Sequence, residues 1–220
     1  MSLRRFASVA GLFALGLCGA AWTLADAGQK ANQKKEQTTP ELPRAAGPTA
    51  GFPPIELLGK TSQPTSLSIF GTTPRPVVKA MLELADVQPG EIVFDLGSGD
   101  GRVVIMAAEK FKARAVGIEF DEVWVAKSRR AVAAKLVEEQ VKIIQADILN
   151  VNLSPADVVT IYLTPEGLAE LRPHLERYLR PGTRIVSHDY EIPGWTPTHV
   201  ARARAWWLAR SRGLYLYKVP

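Results

Sequence analysis

From residue 71 onward, the spacing of apolar positions switches repeatedly between a period near 3.6 and short continuous runs. Val77, Val78, Met81, Leu82 and Leu84 fall at helical spacing after Pro76, and Pro89-Gly90 closes the run, so "TPRPVVKAMLELADVQPGE" predicts a helix. "EIVFDL" reads as a short buried strand, and "GRVVIMAAEKF" opens a helix directly after a cluster of glycines. "ARAVGIEF" is a second strand, "DEVWVAKSRRAVAAKLVEE" a long amphipathic helix, and "VKIIQAD" a third strand. "ADVVTIYL" gives a fourth strand and "TPEGLAELRPHLERYLRPG" a helix that tolerates Pro173, before "TRIVSHDY" runs as a fifth strand into a loop. The closing "THVARARAWWLARSRGLYLYKV" predicts two strands joined near residues 211–213.

Strand and helix alternating at this spacing predict an α/β architecture: a Rossmann-like, mostly parallel seven-stranded sheet with helices on both faces. Right-handed crossovers prescribe most of the connections. The last two strands have only a short connection, so they are expected to form an antiparallel C-terminal edge hairpin. The folded domain is expected to span 67–220.

The front of the chain follows a different pattern. After Arg4 and Arg5, the twenty residues from Phe6 to Ala25 carry no charge, a length that just crosses a bilayer as a helix. The same grammar, with Ala25-Asp26-Ala27 as a small-x-small site, describes a cleaved secretory signal. Residues 1–27 are therefore expected to be a membrane anchor or a signal segment, and residues 28–66, rich in Gln, Thr, Pro, Ala and Gly, a disordered linker.

Charge and composition narrow the chemistry. Residues 1–64 carry 7 basic and 4 acidic residues (+3), residues 65–200 carry 15 and 18 (−3), and residues 201–220 carry 5 basic residues and no acid (+5). The acidic body argues against a nucleic-acid partner, which a basic face would favour. A single cysteine, Cys18, excludes an intrachain disulfide and a cysteine metal cluster, and the three histidines lack metal-motif spacing, so no metal site is expected.

The stretch "VFDLGSGDGRVVI" is the most specific in the chain. Gly97, Gly99 and Gly101 stand at alternate positions where a strand meets a helix, so backbone amides and the helix N-terminus can approach a ligand. In such a sheet, ligands bind at the carboxyl ends of the strands, at the switch point. The pattern is DxGxGxG, and Asp95 and Asp100 beside a diphosphate would repel it, whereas they suit a ligand with positive charge. Glu119 ends the second strand 24 residues after Asp95, placed to accept from ribose hydroxyls, and Asp147 ends the third, placed to accept from an adenine amino group. Ribose, adenine and a cationic amino-acid end together describe S-adenosylmethionine.

From about Gly71 to Trp195 the chain resembles the class I S-adenosylmethionine-dependent methyltransferases. The resemblance implies cofactor contacts at Asp95, Gly97, Gly99, Gly101, Glu119 and Asp147, with Ser98, Phe120 and Ile148 beside them and Thr73 closing over the cofactor. "TTPRPVVKAMLELADVQPGE", "DLGSGDGRVVI", "VVTIYLTPE" and "LRPGTRIVSHDYEIPGW" are similar to the membrane-anchored protein-lysine methyltransferases of mitochondria and their bacterial relatives. That resemblance implies methyl transfer to a lysine amino group of a membrane-associated protein. It also implies attachment to the membrane through the N-terminal segment; because the cofactor is made in the cytosol, the catalytic domain is expected to face the cytosol or matrix, with export after signal cleavage as the alternative. A small-molecule or RNA methyltransferase with the same cofactor site, and a non-enzymatic nucleotide-binding scaffold, are the competing readings. The absence of NPPY or DPPY disfavours an adenine-DNA or glutamine methylase.

Methyl transfer is an in-line displacement, so the protein chiefly aligns a lone pair with the methyl carbon and keeps water out. The residues expected at that position, at the ends of strands four and five, are Tyr162, Thr164, His188 and Asp189, with Tyr190 beside them. Trp124 reads as core, Arg102 as a partner of Asp100 or Glu119, and Trp206-Trp207 with Arg202, Arg204 and Arg210 as part of the edge hairpin.

Overall fold

The computed structural model describes residues 51–59, 71–204 and 211–220. The elements are α1 (Arg75–Leu84), β1 (Ile92–Leu96), α2 (Arg102–Phe111), β2 (Arg114–Glu119), α3 (Glu122–Ala134) and β3 (Val141–Gln145). They continue with a 3-10 turn (Ile148–Asn150), β4 (Val158–Ile161), α4 (Pro165–Tyr178), β5 (Arg184–His188), β6 (His199–Ala203) and β7 (Arg212–Lys218). The strands form one sheet in the order β3-β2-β1-β4-β5-β7-β6. The first five run parallel, and β7 pairs antiparallel with both β5 and β6, as the periodicity predicts.

Burial explains why the strands read as unbroken apolar runs. All five residues of the central β1 are buried, because helices or loops cover both faces. On one face, Val77, Met81 and Leu82 of α1 pack with Val103, Val104 and Ala107 of α2 over Val93, Ala115 and Val186. On the other, Leu168, Leu171 and Leu175 of α4 pack over Phe94, Val159, Ile161 and Ile185. The outer strand β3 keeps Lys142 and Gln145 exposed.

The switch point falls between β1 and β4, where the chain order reverses. Register sets the carboxyl ends side by side: Glu119 pairs with Gln145, Leu96 with Ile118 and with Ile161, and Ile161 with Ser187. At an inter-strand spacing of about 4.8 Å, the ends of β3 to β5 span roughly 19 Å. A site extended along that edge follows directly from the topology.

Three expectations change. Residues 51–59, placed in a linker by composition, lie along the folded body. Leu57 bridges Val151, Leu58 N–H donates to Asn150 O at 2.8 Å, and Asn152 N–H donates to Glu56 O at 3.0 Å. Phe52 and Ile55 pack on the α4-side core, and Gly51 O accepts from Arg114 Nη1 at 2.8 Å. The two apolar residues hold this segment in place despite its prolines. Second, residues 211–213 are not the hairpin turn: β6 ends at Ala203 and Gly213 already pairs with Arg202. Gly213 lacks a side chain because a Cβ there would meet the Tyr215 ring at 3.1 Å. Third, α3 stops at Ala134, where Leu136 takes φ 53° and turns Val137 back to the core.

The uncharged run of residues 6–25 lies outside the described residues, as do Trp206 and Trp207. Among the described residues no helix is long and apolar enough to cross a membrane, and no cluster of His, Cys, Asp and Glu could hold a metal ion.

Candidate active site

The glycine loop sits where β1 hands over to α2, and its three glycines all take positive φ: 80° at Gly97, 52° at Gly99 and 78° at Gly101. They do not share one task. A Cβ on Gly99 would meet nothing within 4 Å, so this backbone is open to a ligand. A Cβ on Gly101 would lie 3.1 Å from Ser128 Cβ, so Gly101 serves the packing of α2 on α3. Gly97 N and Ser98 N both donate to Ile118 O at 2.9 Å, which ties the loop to β2.

Ser98, expected beside the cofactor, has its side chain buried beneath the loop, and its Oγ has no hydrogen-bond partner among the described residues. Only its backbone can face a ligand. Gly117 in β2 makes the room: a Cβ there would come within 2.7 Å of Ser98 Oγ and 2.9 Å of Ile143 Cδ1. Gly117→Ala is therefore expected to destabilise the fold by about 1–3 kcal/mol through overpacking. It should also weaken S-adenosylhomocysteine binding by lifting the loop. Urea unfolding and calorimetric titration read the two effects.

The acids separate into three environments. Asp95 is buried, accepts from Thr160 Oγ1 at 2.7 Å, and has its pKa raised to about 7, first by burial and further by Glu119 and Asp100. Asp100, expected to face a cation, is already neutralised by Arg102 through a fork at 2.8 and 2.6 Å. That pairing holds the Asp100 carboxyl below its ordinary range against the opposing effect of burial. Arg102 also donates to Thr73 O at 2.9 Å, fastening the segment before α1 onto the loop. Glu119 accepts from Gly99 N at 2.8 Å with one oxygen, and from Phe120 N and Asp121 N at 2.9 and 3.0 Å with the other. It thus joins the glycine loop to the end of β2.

At the next strand end, Asp147 caps the 3-10 turn by accepting from Leu149 N at 2.9 Å, and Ile148 is buried in the core beside it. Phe120 is 53% exposed at the end of β2, an apolar ring open to a ligand face. Trp124, expected in the core, is only half-buried and carries the Lys127 ammonium 4.4 Å from its ring centre.

The acceptor end gathers around Asp189, a non-glycine residue held at φ 65° after β5. Its carboxylate accepts from Arg212 Nη1 at 2.6 Å, from Gly213 N at 3.2 Å and from Tyr162 OH at 3.5 Å. The Tyr162 ring lies on His188 with centroids 4.0 Å apart, and burial followed by the Asp189 charge pushes the phenol pKa up. His188 is fully buried and its pKa is lowered to about 4 by burial, with Asp189 opposing and Arg212 adding to the shift. It is neutral at neutral pH. Its Nδ1 lies 3.1 Å from the Thr73 hydroxyl, and its Nε2, 3.6 Å from Asp189 Oδ2, has no hydrogen-bond partner among the described residues.

Two of the expected catalytic residues have close partners of their own. His188 has no exposed surface and is bonded to the Thr73 hydroxyl, an arrangement that suits positioning Thr73. Thr164 caps α4 by accepting from Gly167 N at 3.1 Å, which commits its hydroxyl to the helix. Thr73, buried and bonded to His188, links the segment before α1 to the acceptor end. Arg212 and Thr160 hold the central carboxylates and escaped sequence reasoning.

The open backbone at Gly99, the buried acid Asp95, and acids at three successive strand ends fit a cationic adenosine ligand. Comparison with known proteins agrees. A family described as the ANTKMT methyltransferase domain matches residues 95–199. A protein-lysine N-methyltransferase of Saccharolobus islandicus is 40% identical over 131 residues, covering 59% of this chain and 81% of that protein. The chain belongs to the class I S-adenosylmethionine-dependent methyltransferases, close to the protein-lysine methyltransferases. The adenine nucleotide translocase lysine N-methyltransferase of Mus musculus is 32% identical over 123 residues, 56% of this chain, and the match spans only 53% of that protein's length. A crystal structure described as an RNA methyltransferase from Salinibacter ruber, in complex with S-adenosyl-L-homocysteine, is 41% identical with a TM-score of 0.64. The alignment covers 68% of this chain and 94% of that one. The cofactor of this methyltransferase is S-adenosylmethionine.

Proposed function

We propose that the chain transfers methyl from S-adenosylmethionine to the amino group of a lysine in a membrane-associated protein. The observation that carries the reading is the 40% identity to a protein-lysine N-methyltransferase over most of that protein's length. Asp147, Glu119 and Asp95 would hold the adenosine and sulfonium ends of the cofactor, and Tyr162 and Asp189 at the ends of β4 and β5 would line the acceptor side.

The cofactor supplies an electrophilic methyl on a sulfonium centre. The chain supplies placement. Fixing donor and acceptor in line is worth about 7–11 kcal/mol in such reactions. Asp189 is already tied to Arg212, and His188 is buried, so neither acts as a free base. An acceptor lysine loses its proton because desolvation lowers its pKa, and the paired Asp189 and Arg212 add no net charge beside it.

The second reading, RNA methylation, rests on the name of the Salinibacter relative. The −3 charge of residues 65–200 weighs against it, since the basic excess of the fold is confined to the terminal hairpin, residues 201–220, instead of spreading over a face. Incubating the full chain with labelled S-adenosylmethionine and separated membrane-protein, RNA and metabolite fractions distinguishes the readings by where the label goes.

For location, the proposal is a single uncleaved anchor at residues 6–25 with the domain on the side where the cofactor is made. Its support is the twenty-residue uncharged run. A mature N-terminus at Gly28 in a secreted fraction would contradict it.

A further inference from the structure

Among the described residues, one face of the β6–β7 hairpin beside the acceptor end is left open. The ladder sets Val200 opposite Tyr215 and Arg202 opposite Gly213, so these four positions share a face. Ala203 and Leu214 point the other way, into the core under α1 and α2. The open face bounds a depression of about 370 Å³ lined by Asp189, Tyr190, Val200, Arg202, Gly213 and Tyr215 among others. Ligand pockets run to about 300–1,000 Å³, so there is room for a few side chains of an extended segment but not for a folded element.

The lining has a definite chemistry. Val200 is 53% and Tyr190 37% exposed, which gives apolar walls, and Gly213 keeps the floor low. Charge decides the rest. Asp189 and Arg212 cancel as an ion pair at 2.6 Å. Arg202 is exposed and makes no ion pair among the described residues, so the uncompensated charge at the rim is positive. It lies in a stretch, residues 201–220, with five basic residues and no acid.

We propose that this groove holds the acceptor protein's chain next to the methylated lysine, with apolar side chains on Tyr190, Val200 and Tyr215 and an acidic side chain on Arg202. The groove starts at Asp189, so a segment lying in it delivers its neighbouring lysine to Tyr162 and the methyl. The inference rests on the protein-lysine reading and adds what that reading lacks, a determinant of which lysine is chosen. An exposed ion pair contributes modestly, and reversing the rim charge turns that attraction into repulsion.

The test is binding, independent of turnover. A fluorescein-labelled short peptide with leucines around a lysine and a glutamate beside it is compared with a twin carrying arginine in place of the glutamate. Anisotropy is read on the full chain with S-adenosylhomocysteine present. The glutamate peptide is expected to bind at least about fivefold more tightly, and Arg202→Glu to invert the order. Equal binding of the two peptides, binding of neither, or an unchanged order in Arg202→Glu overturns the groove. The lysine reading itself stands or falls separately, on where the methyl label is found.

Discussion

Asp95→Asn is expected to bind S-adenosylmethionine about 10²-fold more weakly than the natural protein while making the free protein more stable at pH 8. The carboxylate sits in a fully buried position with a pKa of about 7 and one hydrogen bond, from Thr160. Above that pH it is charged, and the cost is borne by the fold until a cationic ligand arrives. Removing a charge that faces a ligand cation across a buried contact costs about 2–5 kcal/mol of binding. Asparagine keeps the acceptor for Thr160, so the packing survives. The folded pKa lies above the unfolded one of 3.8, so the natural protein binds more protons folded than unfolded and loses stability as pH rises from about 4 to 7. His188 works in the opposite sense. Its folded pKa of about 4 lies below 6.5, so its contribution is present above pH 6.5 and is lost as pH falls toward 4. The natural protein should therefore show a shallow profile between pH 4 and 6.5, and Asp95→Asn should expose a rise with pH. Urea unfolding across that range checks both signs. A variant that binds the cofactor normally, or that is destabilised at pH 8, would remove Asp95 from the account.

Asp189→Asn should lower kcat/KM by about 10²–10³-fold and leave S-adenosylhomocysteine affinity within about twofold. The reason is the Arg212 guanidinium at 2.6 Å. With Asp189 neutral, that charge stands uncompensated beside the arriving lysine ammonium, and because the pair is only part-buried the loss lies toward the low end of the about 3–5 kcal/mol of a buried one. The same substitution loosens the Tyr162 hydroxyl, which leans on Oδ2 at 3.5 Å. If the charge is the cause, Asp189→Asn with Arg212→Gln should recover part of the loss that either single change produces. Additive losses in that double-mutant cycle would mean that the pair does not act together.

The contrast between these residues shows what the chain discloses by itself. The sheet order and the helices are legible because apolar period and glycine placement are local properties. Asp95, Glu119 and Asp147 are legible because each ends a strand, and strand ends in a parallel sheet share one edge. The strap of residues 51–59 is hidden because two prolines break its pattern and its partners, residues 150–152, are far away in sequence. Arg212 is hidden for the same reason, since its contact with Asp189 depends on how the last hairpin registers against β5. Ser98, Gly101, Thr164 and His188 stand out in the sequence, and the structure gives each a neighbour that the motif does not show. In each case the deciding neighbour, respectively Gly117, Ser128, Gly167 and the packing that buries His188, lies outside the motif that draws attention to the residue.

The central claim is that methyl leaves S-adenosylmethionine at this strand-end site for a lysine amino group. The most direct test incubates the full chain with labelled S-adenosylmethionine and a membrane fraction, then maps the label by peptide mass spectrometry alongside the Asp189→Asn variant. Label is expected on lysine Nε of a membrane-associated protein, and is expected to be lost in the variant. Label recovered in RNA or a small metabolite, with none on lysine, would contradict it.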